Sequence, residues 1–173
     1  MTQRWLIRVA SHTRHGGGHV ARCGNLGSAL ARVGADVMMQ LDPDSPDAAA
    51  RLRRLGLATS EVDMLPSGMW DGSVVDGYEL MEEEAADLAR RAPPLVAIDD
   101  FLSPPEGAAL VVNSALHLVG ECVGETPALL GPRFAMIDPR YAQLSPKTAT
   151  GPVRHVLVTM GRIDPLGLAG YAL

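Results

Sequence analysis

Three glycines followed by a histidine form the segment of this sequence with the clearest capacity for chemistry: Gly16, Gly17, Gly18 and His19. They stand where an apolar run gives way to a helical pattern. Glycines at a strand-to-helix turn let the backbone approach an anion, and the free amides of the next helix point toward it. The turn is not the dinucleotide-binding GxGxxG motif, because Ala21 and Arg22 stand where that motif would have its last glycine. It is not a P-loop either, because no lysine follows. A tight turn without a ligand is the structural alternative.

A histidine on the first turn of a helix, at the carboxyl edge of a sheet, can act as a general base near neutral pH. We expect the helix N-terminus to lower the pKa of His19 and keep the imidazole unprotonated. A capping or surface histidine is the alternative. His12 and His15 lie nearby, but they precede the helix in a loop, and no carboxylate or thiol stands at ligand spacing. We therefore expect no metal site.

Polar side chains also follow three later apolar runs. Asp76 and Tyr78 end the run VVDGY: Asp76 could orient the histidine or cap the next helix, and Tyr78 could stack on a ligand or hydrogen-bond to it. Asp99 and Asp100 are adjacent, so their side chains point to opposite faces and cannot act as an acid/base pair. Asn113 could bind substrate or simply end its strand.

The elements that must position these residues alternate between strand and helix. Helical patterns cover His19 to Gly34, Pro46 to Leu55 and Leu80 to Arg91. The strands are continuous apolar runs, which indicates a mainly parallel sheet with helices on both faces, an α/β Rossmann-like fold. Ligands bind at the carboxyl ends of the strands in such sheets. The predicted strands are Trp5 to Ala10, Ala35 to Leu41, Val74 to Tyr78, Pro93 to Phe101, Ala108 to Ser114 and Val153 to Met160.

Composition bounds the class of protein. The chain has 173 residues, 47% of them hydrophobic, with a net charge of −5 and a mean hydropathy of +0.09. These values argue against disorder and against non-specific nucleic-acid binding. No apolar run is long enough for a membrane span and no signal peptide is evident, so we expect a cytoplasmic protein. Cys23 and Cys122 are expected to be small buried hydrophobes. The best domain boundary is Ala142 to Pro152.

The order of the motifs GGGHVARCGNLGSAL, VVDGY, VAIDDF, LVVNSAL, LLGPRFAMIDPRY and HVLVTMGRIDP is specific as a set. It resembles the N-terminal half of the UDP-2,4-diacetamido-2,4,6-trideoxy-β-L-altropyranose hydrolase family of pseudaminic acid biosynthesis, which is similar to the inverting GT-B glycosyltransferases. The resemblance implies a GT-B-like N-terminal domain over residues 1–150. Residues 151–173 would be the end of a linker and the first strand of a missing C-terminal nucleotide-binding domain.

The family reaction implied is inverting hydrolysis of a UDP-sugar between the anomeric carbon and the UDP oxygen, without metal or other cofactor. By resemblance His19 activates water, Asp76 and Tyr78 form the sugar site, and Gly161 belongs to the nucleotide-binding half. That half has a second glycine where Arg162 stands here. We expect negligible turnover from this chain by itself, with a C-terminal domain partner or a homodimer completing the site. The acceptor domain of a GT-B glycosyltransferase and a non-catalytic sugar- or partner-binding domain are the alternatives.

Overall fold

A computed structural model describes residues 1–12, 17–62, 69–80, 82–145, 151–159, 164 and 167–172. The strands are Arg4–Val9 (β1), Asp36–Leu41 (β2), Ala58–Glu61 (β3), Gly72–Asp76 (β4), Leu95–Ile98 (β5), Ala108–Asn113 (β6), Cys122–Val123 (β7) and Thr126–Leu130 (β8), and the α-helices are Gly18–Arg32 (α1), Pro46–Arg54 (α2) and Glu83–Arg91 (α3). The strands form an eight-stranded sheet with the order β3-β2-β1-β4-β5-β6-β8-β7, in which all pairs are parallel except β7–β8. The fold is therefore α/β and Rossmann-like, as predicted.

Helices cover both faces of the sheet. Successive side chains of a strand point to opposite faces, so each central strand contributes apolar side chains to two cores. Ile7 of β1 belongs to the core between the sheet and helices α1 and α2. The preceding residue, Leu6, belongs to the core beneath α3. This arrangement explains why the central strands are continuous apolar runs.

Helix α1 packs closely on its neighbours through two glycines. A Cβ atom on Gly24 would lie 3.1 Å from Leu52 of α2, and one on Gly27 would lie 3.2 Å from Met39 of β2. The helix ends near Gly34, which has a φ of +92° and confirms the predicted stop. None of the described helices has the length and hydrophobicity of a membrane-spanning segment.

The strand order reverses between β1 and β4, which is where open α/β sheets bind ligands. Val9 at the end of β1 is in register with Asp76 at the end of β4. The amide of Ala10 donates a 2.8 Å hydrogen bond to the carbonyl of Asp76. The turn that leads into α1 and the last residue of β4 therefore share one edge of the sheet.

One edge of the sheet was not predicted from the sequence. Strand β8 is short and contains Pro127, a residue that weakens a strand prediction. It pairs with the two-residue strand β7 through a turn at Gly124, whose φ is +59°. Cys23 is buried as predicted, whereas the prediction for Cys122 is wrong, because Cys122 lies exposed on this short edge strand.

The predicted strand Val153 to Met160 is not formed over residues 153–159, which have no regular secondary structure in the structure. Val153, Val156 and Leu157 are exposed. Residues 153–159 therefore do not pair with the edge of this sheet. An apolar run becomes a strand only when a neighbouring strand takes up its backbone hydrogen bonds. Met160 lies outside the described residues.

The turn after β4 differs from the predicted strand and helix. Strand β4 ends at Asp76, residues Tyr78–Leu80 form a 3-10 turn, and α3 begins only at Glu83. Gly77 makes the connection with a φ of +155°. A Cβ atom there would lie 2.5 Å from the Cβ of Ala10. The end of β1 thus requires glycine at this position.

We expect Gly77→Ala to lower the free energy of unfolding by about 1–3 kcal/mol, the usual cost of overpacking a tight site. Denaturant titration measures the change. Gly18→Ala is the matched control, because no atom lies within 4 Å of a Cβ at that position. Equal stability of the two variants would contradict the close contact between the β1 and β4 edges.

Candidate functional site

The centre of the candidate site is a hydrogen bond between His19, the second residue of α1, and Asp76, the last residue of β4. His19 Nδ1 lies 2.7 Å from Asp76 Oδ1, and the residues are 7% and 0% exposed. An ionised carboxylate can only accept, so Nδ1 carries a proton, and in the neutral imidazole Nε2 is then the ring nitrogen with a free electron pair. Of the two roles considered for Asp76, the structure supports orientation of the histidine. The pair has the geometry of a general base held by a carboxylate.

Arg22, one turn further along α1, completes the site and was not identified from the sequence. Its Nε and Nη2 atoms donate to Asp76 Oδ2 and Oδ1 at 2.7 and 2.6 Å. Its Nη1 and Nη2 atoms donate to Asp100 Oδ1 and Oδ2 at 2.9 and 3.0 Å. The available signal was the three-residue spacing from His19, which places both side chains on one face of the helix.

Electrostatic balance keeps the Asp76 carboxylate ionised. Burial raises the pKa of Asp76, but the hydrogen bonds from Arg22 and His19 lower it by more, so the net effect is a lowered pKa. Burial lowers the pKa of Arg22, but the two carboxylates raise it well above its usual value. Burial and the charge of Asp76 raise the pKa of Cys23, whose thiol donates to Asp76 Oδ2 at 3.2 Å. Asp76 thus accepts from three side chains of α1.

Tyr78 forms a wall beside the histidine. Its ring centroid lies 5.0 Å from that of His19, edge to face, and also 5.0 Å from that of Phe101. The Tyr78 hydroxyl donates to Asp100 Oδ2 at 3.2 Å. Burial and the Asp100 charge raise the pKa of Tyr78. The tyrosine is half exposed and borders a cleft of about 630 Å³, so a ligand can reach the ring.

The other predicted strand-end residues have structural partners. The Asp99 carboxylate accepts from the amides of Phe101 and Ser103, away from the partners of Asp100, so the two carboxylates do not form a pair. Asn113 donates from Nδ2 to the carbonyl of Asp99 and accepts from the amide of Ala115. The structure therefore uses Asn113 to join the ends of β5 and β6, and gives it no contact with His19.

The glycine turn is described in part. Gly17 is the N-cap of α1, and its carbonyl accepts from the amide of Ala21 at 3.0 Å. Gly18 is exposed and begins the helix. Gly16 and His15 lie outside the described residues, as do Gly161 and Arg162. The predictions for those four residues stay predictions.

A buried arginine on β1 anchors the segment that enters this turn. Arg8 is 2% exposed and contacts Asp42 at 2.6 Å and Glu84 at 2.5 Å. The Asp42 carboxylate also accepts from the amides of Ser11 and His12 at 2.7 and 2.9 Å. Burial raises the pKa of Asp42, but these amides and Arg8 lower it by more, so the net effect is a lowered pKa. A charged residue inside an apolar strand was the available sequence signal.

The described residues contain no group of three or more histidine, cysteine, aspartate or glutamate side chains that could hold a metal ion.

Comparison with protein-family models, curated proteins and solved structures finds no match to this chain.

We expect Asp76→Asn to destabilise the protein by about 3 kcal/mol, the lower end for breaking a buried ion pair, because Asp100 still holds Arg22. Thermal unfolding at several pH values measures this. The pKa of Asp76 is lowered from 3.8 by folding. The advantage of the wild type is therefore fully present above pH 3.8 and is lost as the pH falls through the lower folded pKa.

The matched control is Asp87→Asn, which removes an exposed carboxylate that contacts Arg91 at 2.8 Å on α3. Exposed pairs contribute about 0–1 kcal/mol, so this variant should unfold close to the wild type. Equal effects of the two substitutions would contradict the special burial of Asp76.

Proposed function

We propose that the His19 site activates water for inverting hydrolysis of a UDP-sugar at the anomeric carbon. The observation that carries this proposal is the 2.7 Å hydrogen bond between His19 Nδ1 and the buried carboxylate of Asp76. A neutral imidazole held in this way offers Nε2 as the proton acceptor. The proposal also depends on the resemblance in motif order described above.

In the proposed step, water replaces UDP on the anomeric carbon of the sugar. The water oxygen forms a bond to the anomeric carbon while the bond from that carbon to the UDP oxygen breaks. The water proton passes to Nε2 of His19, and the electron pair of the broken bond leaves with UDP. Asp76 stabilises the imidazolium that forms. Attack from the face opposite the leaving group inverts the anomeric carbon.

The charges of the site favour the sugar over the diphosphate beside Tyr78. Arg22, the cation beside His19, already donates to both Asp76 and Asp100. Within the described residues, carboxylates engage four of the five N–H donors of Arg22, and the two carboxylates repel a phosphate. A neutral sugar ring can instead pack on the exposed face of Tyr78 and the neighbouring Phe101. The diphosphate then requires donors from elsewhere, such as the helix N-terminus or a second protein surface.

The glycine turn is compatible with close approach of a ligand to the start of α1. Gly18 is exposed, and no atom lies within 4 Å of the position that its Cβ would take. The described chain thus gives no packing reason for glycine at this position. Backbone amides at a helix N-terminus can donate to a phosphate oxygen.

We expect UDP-N-acetylglucosamine to perturb the NMR signals of the His19 and Tyr78 rings, and His19→Ala to reduce any UDP release by about 10²–10⁴-fold, the usual contribution of a general base. Arg90→Gln, on the exposed face of α3, is the control and should behave as the wild type. UDP release that is unchanged in His19→Ala would contradict the proposed base. Release that requires an added sugar acceptor would indicate glycosyl transfer.

We expect Gly18→Val to weaken binding of UDP-N-acetylglucosamine at least tenfold without a matching loss of stability, because a branched side chain would block the helix N-terminus. Calorimetric titration and thermal unfolding measure the two quantities. Gly170→Val is a control in which the Cβ also meets open space, far along the chain. Unchanged affinity in Gly18→Val would exclude the turn from the ligand site.

A further inference from the structure

We propose that Arg22 is a positioning residue that keeps the His19–Asp76 pair able to accept a proton, because it balances one of the two carboxylates at this edge of the sheet. The inference deepens the proposed function and rests on it for its catalytic consequence. The contacts themselves involve only the chain, so they can be tested without a substrate.

The geometry shows how Arg22 positions the base. Its Nε and Nη2 atoms hold both oxygens of Asp76, and the thiol of Cys23 donates to Oδ2 as well. The carboxylate plane is therefore held from two sides, and Oδ1 faces His19 Nδ1. A lysine would donate from a single point and could not hold both oxygens in one plane.

Asp100 in turn holds Arg22. Its two oxygens accept from Nη1 and Nη2, and Oδ2 also accepts from the Tyr78 hydroxyl. The guanidinium thus lies between carboxylates that follow two neighbouring strands, β4 and β5. The side chain of Arg22 is mostly covered in this position, with 22% of its surface exposed. The sequence prediction excluded Asp100 as an acid/base partner of Asp99, but its contacts give it this separate role.

The charges around His19 explain why Arg22 affects uptake of a proton by the His19–Asp76 pair. In the described part of the chain, the charged and titratable side chains around His19 are Asp76 from β4, Asp100 after β5, Arg22 and the thiol of Cys23 from α1, and the phenol of Tyr78. With His19 neutral, the two carboxylates and one guanidinium sum to one negative charge. Uptake of one proton neutralises the cluster.

Without Arg22, two negative charges would surround the imidazole. The additional negative charge would favour the protonated imidazole, the form that has no free electron pair for water. Without Asp100, the opposite change follows, because Arg22 would then face a single carboxylate. The two removals should therefore act in opposite directions on the same pair.

The experiment follows the His19 ring signals of the full chain by NMR as the pH is varied. In Arg22→Gln we expect the pair to take up its proton at a pH about 1–3 units higher than in the wild type, and in Asp100→Asn at a lower pH. Arg22→Lys keeps the positive charge but cannot hold both oxygens of Asp76, so the pH at which its pair takes up the proton should lie closer to that of the wild type than in Arg22→Gln. Loss of a merely structural contact would not produce shifts of opposite sign.

Arg90→Gln removes the same charge from an exposed position on α3 and should leave the transition unchanged. If Arg22→Gln does not fold, Asp100→Asn alone decides by the sign of its shift. An unchanged transition, or shifts of the same sign, would overturn the inference. Shifts of the expected signs together with UDP release that is unchanged in His19→Ala would support the inference and count against the proposed hydrolysis.

Discussion

The structure around the candidate site depends on one buried carboxylate. Asp76 is 0% exposed, and an unpaired carboxylate in that position would cost several kcal/mol. Its oxygens instead accept from His19, Arg22 and Cys23, which lie at positions i, i+3 and i+4 on one face of α1. The same requirement that keeps the carboxylate satisfied thus attaches the first turns of α1 to the end of β4. It also orients the imidazole.

The topology makes this attachment possible. Strands β1 and β4 are parallel neighbours, so the turn that follows β1 and the last residue of β4 meet at one edge. Gly77 lets the chain leave β4 in close contact with Ala10, and Tyr78 follows at once. The tyrosine ring consequently packs against His19, which begins the helix after β1. The pairing of β1 with β4 thus brings His19 and Tyr78 into contact, although more than fifty positions separate them in the sequence.

The described charges at this edge form two clusters, one around the buried Arg8 and one around the partly buried Arg22. Arg22 joins Asp76 to Asp100 near the histidine, and Arg8 joins Asp42 to Glu84 on the α3 side. Each guanidinium donates to two carboxylates, whose summed charge exceeds that of the arginine. The described part of this edge is consequently better suited to neutral groups than to anions.

Local pattern determined much of the fold and part of the site. Apolar runs and helical spacing depend on neighbours in sequence, so the α/β class, the end of α1 near Gly34 and the placement of His19, Asp76 and Tyr78 at the strand ends could be predicted. Strand β8 could not, because Pro127 masks its pattern, and neither could the unpaired state of residues 153–159, since a strand needs a neighbour.

The role of Arg22 was decided only by the tertiary structure. In the sequence it is one of several polar residues on a helix and has the same pattern as a solvated side chain. Packing of α1 across the ends of β4 and β5 places it between Asp76 and Asp100, which are 54 and 78 residues away in sequence. Sequence determined which residues could do chemistry, whereas long-range packing decided which charges surround them, because burial and electrostatic interaction depend on distance in space.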